Sequence, residues 1–182
     1  THLGDINEAT AIFITGGNQL RLSTILGGTP VAKAIRQANA KGAHVGGTSA
    51  GAAIISQHMI AGGNVGIVPT EDGVSLAPGM GLINTVVVDQ HFNQRNRLAR
   101  LLSAVSYNPF LVGIGLDEDT AAFIDHNNTF TVVGSGAITV VDPSDIEYSS
   151  MAEARRGEAL TLLNLKVHIL ASGSRYDISN RL

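Results

Sequence analysis

Ala43-His44-Val45-Gly46-Gly47-Thr48-Ser49-Ala50-Gly51-Ala52-Ala53 is the stretch on which the fold turns. A tiny apolar strand, residues 43–46, runs into Gly47-Thr48-Ser49-Ala50-Gly51, a match to G-x-S-x-G. An Ala/Ile-rich stretch to about Ile60 then reads as a helix. Strand, sharp turn and helix in that order push a serine hydroxyl out at the end of a sheet, with backbone N–H groups beside it. At a helix N-terminus those groups can stabilise an oxyanion. A tight glycine turn with a capping serine would give the same pattern. Ala50, Ala52 and Ala53, small enough for the helix to pack close, favour the nucleophile reading.

Upstream, residues 11–15 read as a short buried strand stopped by Gly16-Gly17. Thr29-Pro30 has the form of an N-cap followed by proline at the first helical position, with Val31, Ala34, Ile35 and Ala38 at helical spacing and Gly42 as the stop. Strand, helix, strand, turn, helix is the alternation of an α/β fold with a parallel sheet. Downstream, residues 61–81 are rich in Gly and Pro around Glu71-Asp72 and read as a long loop. A strand at 85–89, a helix over 93–105 and a strand at 112–116 follow. Short β segments at 121–124, 129–133, 137–141 and 166–170 close the chain. The expectation is one α/β domain over residues 1–182: a mostly parallel sheet, helices on both faces, and an antiparallel C-terminal extension.

Composition narrows the function. Apolar residues make up 44% of the 182 and charged ones 15%, which excludes a disordered or charge-driven binding segment. A net charge of −3 speaks against a general nucleic-acid or membrane-surface binder. With no cysteine there is no disulfide framework and no thiolate chemistry. The apolar runs are too short for a membrane span. The cytoplasm fits this composition, and export fits it too. A chain starting at Thr1 is expected to be processed or trimmed.

A serine nucleophile needs a base, and the base an orienting acid. Of six histidines, His2 lies at the terminus, His44 enters the elbow, His58 ends the following helix, His126 adjoins a turn and His168 sits in a terminal strand. His91 follows the strand at 85–89, at the carboxyl edge where open α/β sheets bind ligands and where Ser49 also emerges. Asp117, Glu118 and Asp119 stand just past Leu116 at another such strand end, so any of the three can supply the acid. The chain order Ser, His, acid differs from the Ser, acid, His of ordinary α/β-hydrolases. Arg95, Arg97 and Arg100 crowd beside His91, and guanidinium forks suit an anionic substrate. Standing alone, such a cluster would read as a solvated helix face ion-paired with Asp or Glu; beside His91 the substrate reading overtakes it.

Five stretches in order carry a resemblance. They are Thr15-Gly16-Gly17-Asn18-Gln19, Gly46 to Ala52, Ala77-Pro78-Gly79-Met80-Gly81-Leu82, Asp89-Gln90-His91-Phe92 with the three arginines, and Gly115-Leu116-Asp117-Glu118-Asp119-Thr120-Ala121. Together they resemble the cyanophycinases of peptidase family S51, dipeptidase E-like serine peptidases with a class I glutamine amidotransferase-like (flavodoxin-like) fold. The resemblance implies an exo-acting hydrolase that releases β-Asp-Arg dipeptides from cyanophycin, an aspartate backbone bearing arginines. It implies Ser49 as nucleophile, His91 as base and Glu118 as acid. Gln19, Asp89, Gln90, Arg95, Arg97 and Arg100 are implied as substrate-binding, and the N–H groups of Ala50 and Gly17 as the oxyanion hole. No metal or cofactor, a homodimer, and a cytoplasmic or exported location are further implications. Relatives of this kind begin with strands and helices ahead of the position of Thr1, so a missing N-terminal portion is expected. An Asp-preferring dipeptidase and a non-catalytic amidotransferase-like binding protein are the competing readings.

Overall fold

The computed structural model describes residues 3–64 and 66–182; His2 lies outside them. In chain order the elements begin α1 (Leu3–Glu8), β1 (Ala11–Ile14), α2 (Gln19–Leu26), α3 (Pro30–Ala40), β2 (His44–Gly47) and α4 (Ala50–Ala53). A hairpin, β3 (His58–Gly63) and β4 (Val74–Pro78), precedes β5 (Val86–Gln90), α5 (Leu98–Tyr107) and β6 (Val112–Leu116). The remainder is β7 (Thr120–Ile124), β8 (Thr129–Gly134), β9 (Ala137–Asp142), β10 (Tyr148–Ser149), β11 (Leu162–Leu163), β12 (Lys166–Ala171) and β13 (Arg175–Asp177).

Local chemistry starts α3 where the sequence indicates. Thr29 is extended, its Oγ1 accepts the Ala32 N–H, and Pro30 follows. Ala32, Ala34, Ile35 and Ala38 are buried, and a core of Ala32, Ile35, Ile54, Met59 and Met80 seats α3 against β1 and β2. Those two strands pair in parallel, Ile14 opposite Gly47, so Thr15 and Thr48 leave the same edge together.

The sheet expectation needs correcting. Instead of one mostly parallel sheet there are several small ones: the parallel pairs β1–β2 and β5–β6 belong to different sheets, and the other strand pairings are antiparallel. The order β12–β9–β6–β5 puts the antiparallel extension directly onto the parallel pair. Helices share the cover of that sheet with strands, α4 reaching the second face through Ala52. Val87 and Val141 face α5 through Leu101, Ala104 and Val105, whereas Val86, Val88, Ile114 and Val140 pack against Phe130, Val132 and Tyr176 of β8 and β13. Alternate strand residues point to opposite faces, so each face builds its own core, and the second is closed mostly by a sheet.

Three element assignments also change. The helix after Ser49 ends at Ala53, and His58 opens β3 rather than ending a helix. Gly79 explains the early stop: its amide reaches Gln57 O, and a Cβ there would lie 2.0 Å from Ser56 O, so the returning strand crosses the chain at contact distance. Both ends of the expected 61–81 loop belong instead to the β3–β4 hairpin, in which the neighbours Met59 and Ile60 of β3 are both buried. Finally, the helix over 93–105 is split. A single 3-10 turn, Asn93–Arg95, is broken from α5 by Asn96 in the left-handed region at φ 49°. Elements not expected from sequence include α1, α2, β10, β11 and β13.

Candidate active site

Ser49 sits between β2 and α4 with φ 54° and ψ −119°, outside the regions an L-residue prefers. Glycines make this turn possible. A Cβ on Gly47 would lie 2.1 Å from Gly51 O, and one on Gly51 would lie 2.0 Å from Ile14 O. Gly16 approaches so closely that its Cβ would stand 3.1 Å from Ser49 Cβ. The elbow therefore needs glycine at each crossing, and it delivers a hydroxyl that caps nothing on its own helix.

That hydroxyl meets His91. Ser49 Oγ lies 3.0 Å from His91 Nε2, and His91 Nδ1 lies 2.7 Å from Glu118 Oε1. A carboxylate only accepts, so Nδ1 carries the proton there and Nε2 is left to accept from the serine hydroxyl. The histidine side chain is 26% exposed and the glutamate 54%, so the site is open on the acid side. His91 is itself in the left-handed region at φ 50°, just past β5. The amides of Ala50 and Gly17 donate to no other group among the described residues.

Of the three acids, only Glu118 reaches the base. Asp117 accepts from Asn93 and Ala137, and Asp119 accepts from Ser135 Oγ at 2.6 Å. Gln19, at the start of α2, donates through Nε2 to Ile60 O at 3.0 Å.

Sequence proximity misleads about the arginines. Asp89 is 1% exposed, and its two carboxylate oxygens take Arg100 Nε at 2.8 Å and an Arg100 terminal nitrogen at 2.5 Å. Arg97 reaches Asp89 at 3.3 Å, Gln90 Oε1 at 3.2 Å and the Gln90 carbonyl. Burial pushes the Arg97 guanidinium below its ordinary range, and neighbouring Arg100 adds to this. Two of the three forks are thus turned inward onto a buried carboxylate, and Arg95 is the one left exposed beside His91. The break at Asn96 is the cause, because it rotates Arg97 and Arg100 onto the face of α5 that packs against β5. Asp72, from the expected 61–81 loop, lines a hollow of about 260 Å³ with Arg100, Thr70 and Ser103 and has Arg156 at 3.6 Å.

Nothing among the described residues groups three or more His, Asp or Glu side chains for a metal ion. Among them no helix is long and apolar enough to cross a membrane.

The family model described as Peptidase family S51 matches residues 1–133, which include the elbow, His91 and Glu118. The chain belongs to peptidase family S51. Within that family it is 47% identical over 173 residues to a protein named Cyanophycinase from Geminocystis herdmanii, covering 94% of this chain and 64% of the relative. A Cyanophycinase from Trichormus variabilis is 44% identical over 178 residues, 97% of this chain and 59% of the relative. One from Synechococcus elongatus is 44% identical over 177 residues, 97% and 55%. The chain thus spans somewhat more than half the length of these relatives. The crystal structure of a peptidase from an acI-B1 Actinobacterium superposes with a TM-score of 0.67 at 22% identity, over 96% of this chain and 62% of the other, a likeness of fold.

Proposed function

We propose that this chain carries the catalytic centre of a serine exopeptidase that hydrolyses cyanophycin to β-Asp-Arg dipeptides. The observation that carries the reading is the unbroken hydrogen-bond path from Ser49 Oγ through His91 to Glu118, raised on a strained elbow. Identity of 44–47% to cyanophycinases supports the substrate. The same reading takes residues 1–182 as one α/β serine-hydrolase unit of class I glutamine amidotransferase-like fold.

In the mechanism, His91 Nε2 takes the Ser49 proton as Oγ attacks the scissile backbone carbonyl, forming the C–O bond. The oxyanion is met by the N–H groups of Ala50 and Gly17. The imidazolium, steadied by Glu118, gives its proton to the leaving amine as the C–N bond breaks, and an acyl-enzyme remains. Water, deprotonated by His91, then releases the acid product and restores the serine. Arg95 is the substrate-facing cation in this scheme, holding a carboxylate of the polymer end, while Gln19 and Gln90 form polar walls. Arg97, Arg100 and Asp89 act beneath the site.

The test is release of β-Asp-Arg from insoluble cyanophycin by the protein, beside Ser49→Ala. The expected loss is at least about 10³-fold, with the thermal midpoint unchanged. Equal release by the variant overturns Ser49 as nucleophile. Hydrolysis of free Asp-Xaa dipeptides with the polymer left intact would instead mark an Asp-preferring dipeptidase.

A further inference from the structure

Glu118 raises a physical problem. It is more than half exposed and among the described residues its carboxylate bonds only to His91, yet a glutamate in water samples many rotamers. Its aim must come from the backbone that carries it. β5 and β6 run parallel with Gln90 opposite Leu116, so the segments bearing base and acid leave the sheet side by side. The Phe92 N–H donates to Leu116 O at 3.0 Å, and the Phe92 ring fills the space over Gly115, where a Cβ would lie 2.5 Å from it.

Beyond the strands the two segments are tied by side chains. Asn93 donates its backbone N–H to one oxygen of Asp117 at 3.1 Å and its side-chain amide to the other at 3.0 Å. The Ala137 N–H adds a third bond to Asp117 at 3.2 Å. One residue on, Gln94 Oε1 accepts the Glu118 N–H at 3.1 Å. Asp119 is turned away at φ 52° and held by Ser135.

We propose that Asp117 and Gln94 are positioning residues of the triad: a clasp between residues 93–94 and 117–118 that fixes the Glu118 backbone so its carboxylate meets His91. The proposal rests on the catalytic reading of Ser49, His91 and Glu118. Asp117, with its oxygens occupied by three N–H donors, also stays out of competition for the imidazole. Supporting residues of this kind hold reacting groups within a fraction of an ångström of productive geometry.

Asp117→Ala, Gln94→Ala, Glu118→Ala and Ser135→Ala test this in the full protein, with cyanophycin hydrolysis and the downfield proton resonance of His91 Nδ1–H as readouts. A proton in so short a charge-assisted bond is well separated from the amide region. In Asp117→Ala, kcat should fall about 10- to 100-fold with KM within about twofold, and the resonance should vanish as in Glu118→Ala. Gln94→Ala, at an exposed position, should broaden the resonance and lower kcat about fivefold. Ser135→Ala, in the β8–β9 turn and bonded to the neighbouring Asp119, should keep both within about twofold of the parent. An intact resonance in Asp117→Ala and Gln94→Ala overturns the clasp whatever happens to kcat. A parent protein inactive on cyanophycin would sink the functional reading instead, while the resonance would still decide the clasp.

Discussion

Left-handed backbone occurs in both halves of this molecule, and the residues that adopt it differ. In the C-terminal β-rich part, Asn128 at φ 59° in the β7–β8 turn and Asn164 at φ 62° before β12 take it, beside Asp119 and Arg181. Asparagine tolerates that region, so ordinary turn chemistry accounts for the two asparagines. In the first part Asn96 takes it at the break before α5, and so do Ser49 and His91, at φ 54° and 50°, the two side chains that meet across the site. Serine has no preference for that region, and the glycine crossings around the elbow hold Ser49 there; in one part positive φ coincides with the Ser49–His91 contact, in the hairpins with a turn.

Substitutions can break or sharpen that contrast. The largest effect is expected from Gly51→Ala, whose new Cβ would fall 2.0 Å from the Ile14 carbonyl oxygen. With backbone on both sides nothing can yield cheaply, and the loss of stability should reach about 4 kcal/mol, read from the urea midpoint. A loss under about 1 kcal/mol would show that the elbow is softer than its contacts imply.

Next comes Asp89→Asn. It leaves Arg97 and Arg100 buried without their counter-charge, a situation that costs on the order of 3 kcal/mol when one partner of a buried pair is removed. Equilibrium unfolding in urea measures it. If stability held while KM for the polymer rose severalfold, Asp89 and its arginines would be substrate ligands rather than a brace under Gln90 and His91.

The smallest effect belongs to the C-terminal half. The Tyr176 hydroxyl is buried without a partner among the described residues, and burial pushes its pKa up from 10.0 to about 12. Between those values the folded protein keeps a proton that the unfolded chain has released. Stability therefore falls as pH rises from about 10 to about 12, by about 2 kcal/mol. Tyr176→Phe should abolish that decline and leave activity near neutral pH untouched. Thermal melts of both proteins across pH 8–12 check it, and parallel curves would rule the hydroxyl out.

Much of this protein is legible from its residues because much of it is local. The Thr29 cap, the proline after it, the apolar spacing of α3 and the strand–turn–helix order around G-x-S-x-G are written in neighbours within a few positions, although the elbow also needs β1 close by at Ile14. The turn asparagines and the alternation of β8 belong to the same class. The end of α4 was not legible, since a distant backbone, at Gly79, stops it. Nor was the cover on the second face of β5 and β6, where Phe130 and Tyr176 arrive from strands far along the chain.

At the site the division is the same. The sequence alone determined that a serine would stand on a strand–helix elbow, that His91 would follow a strand end on the same edge, and that an acid would come from residues 117–119. Tertiary structure alone decided which carboxylate faces the base, because Asn93, Ala137 and Ser135 claim the other two from outside the run. It also decided that Arg97 and Arg100 turn inward, through the left-handed break at Asn96 and the buried Asp89. Where a charged side chain points is set by which partner can be reached without water, and that partner is fixed only once the strands are side by side.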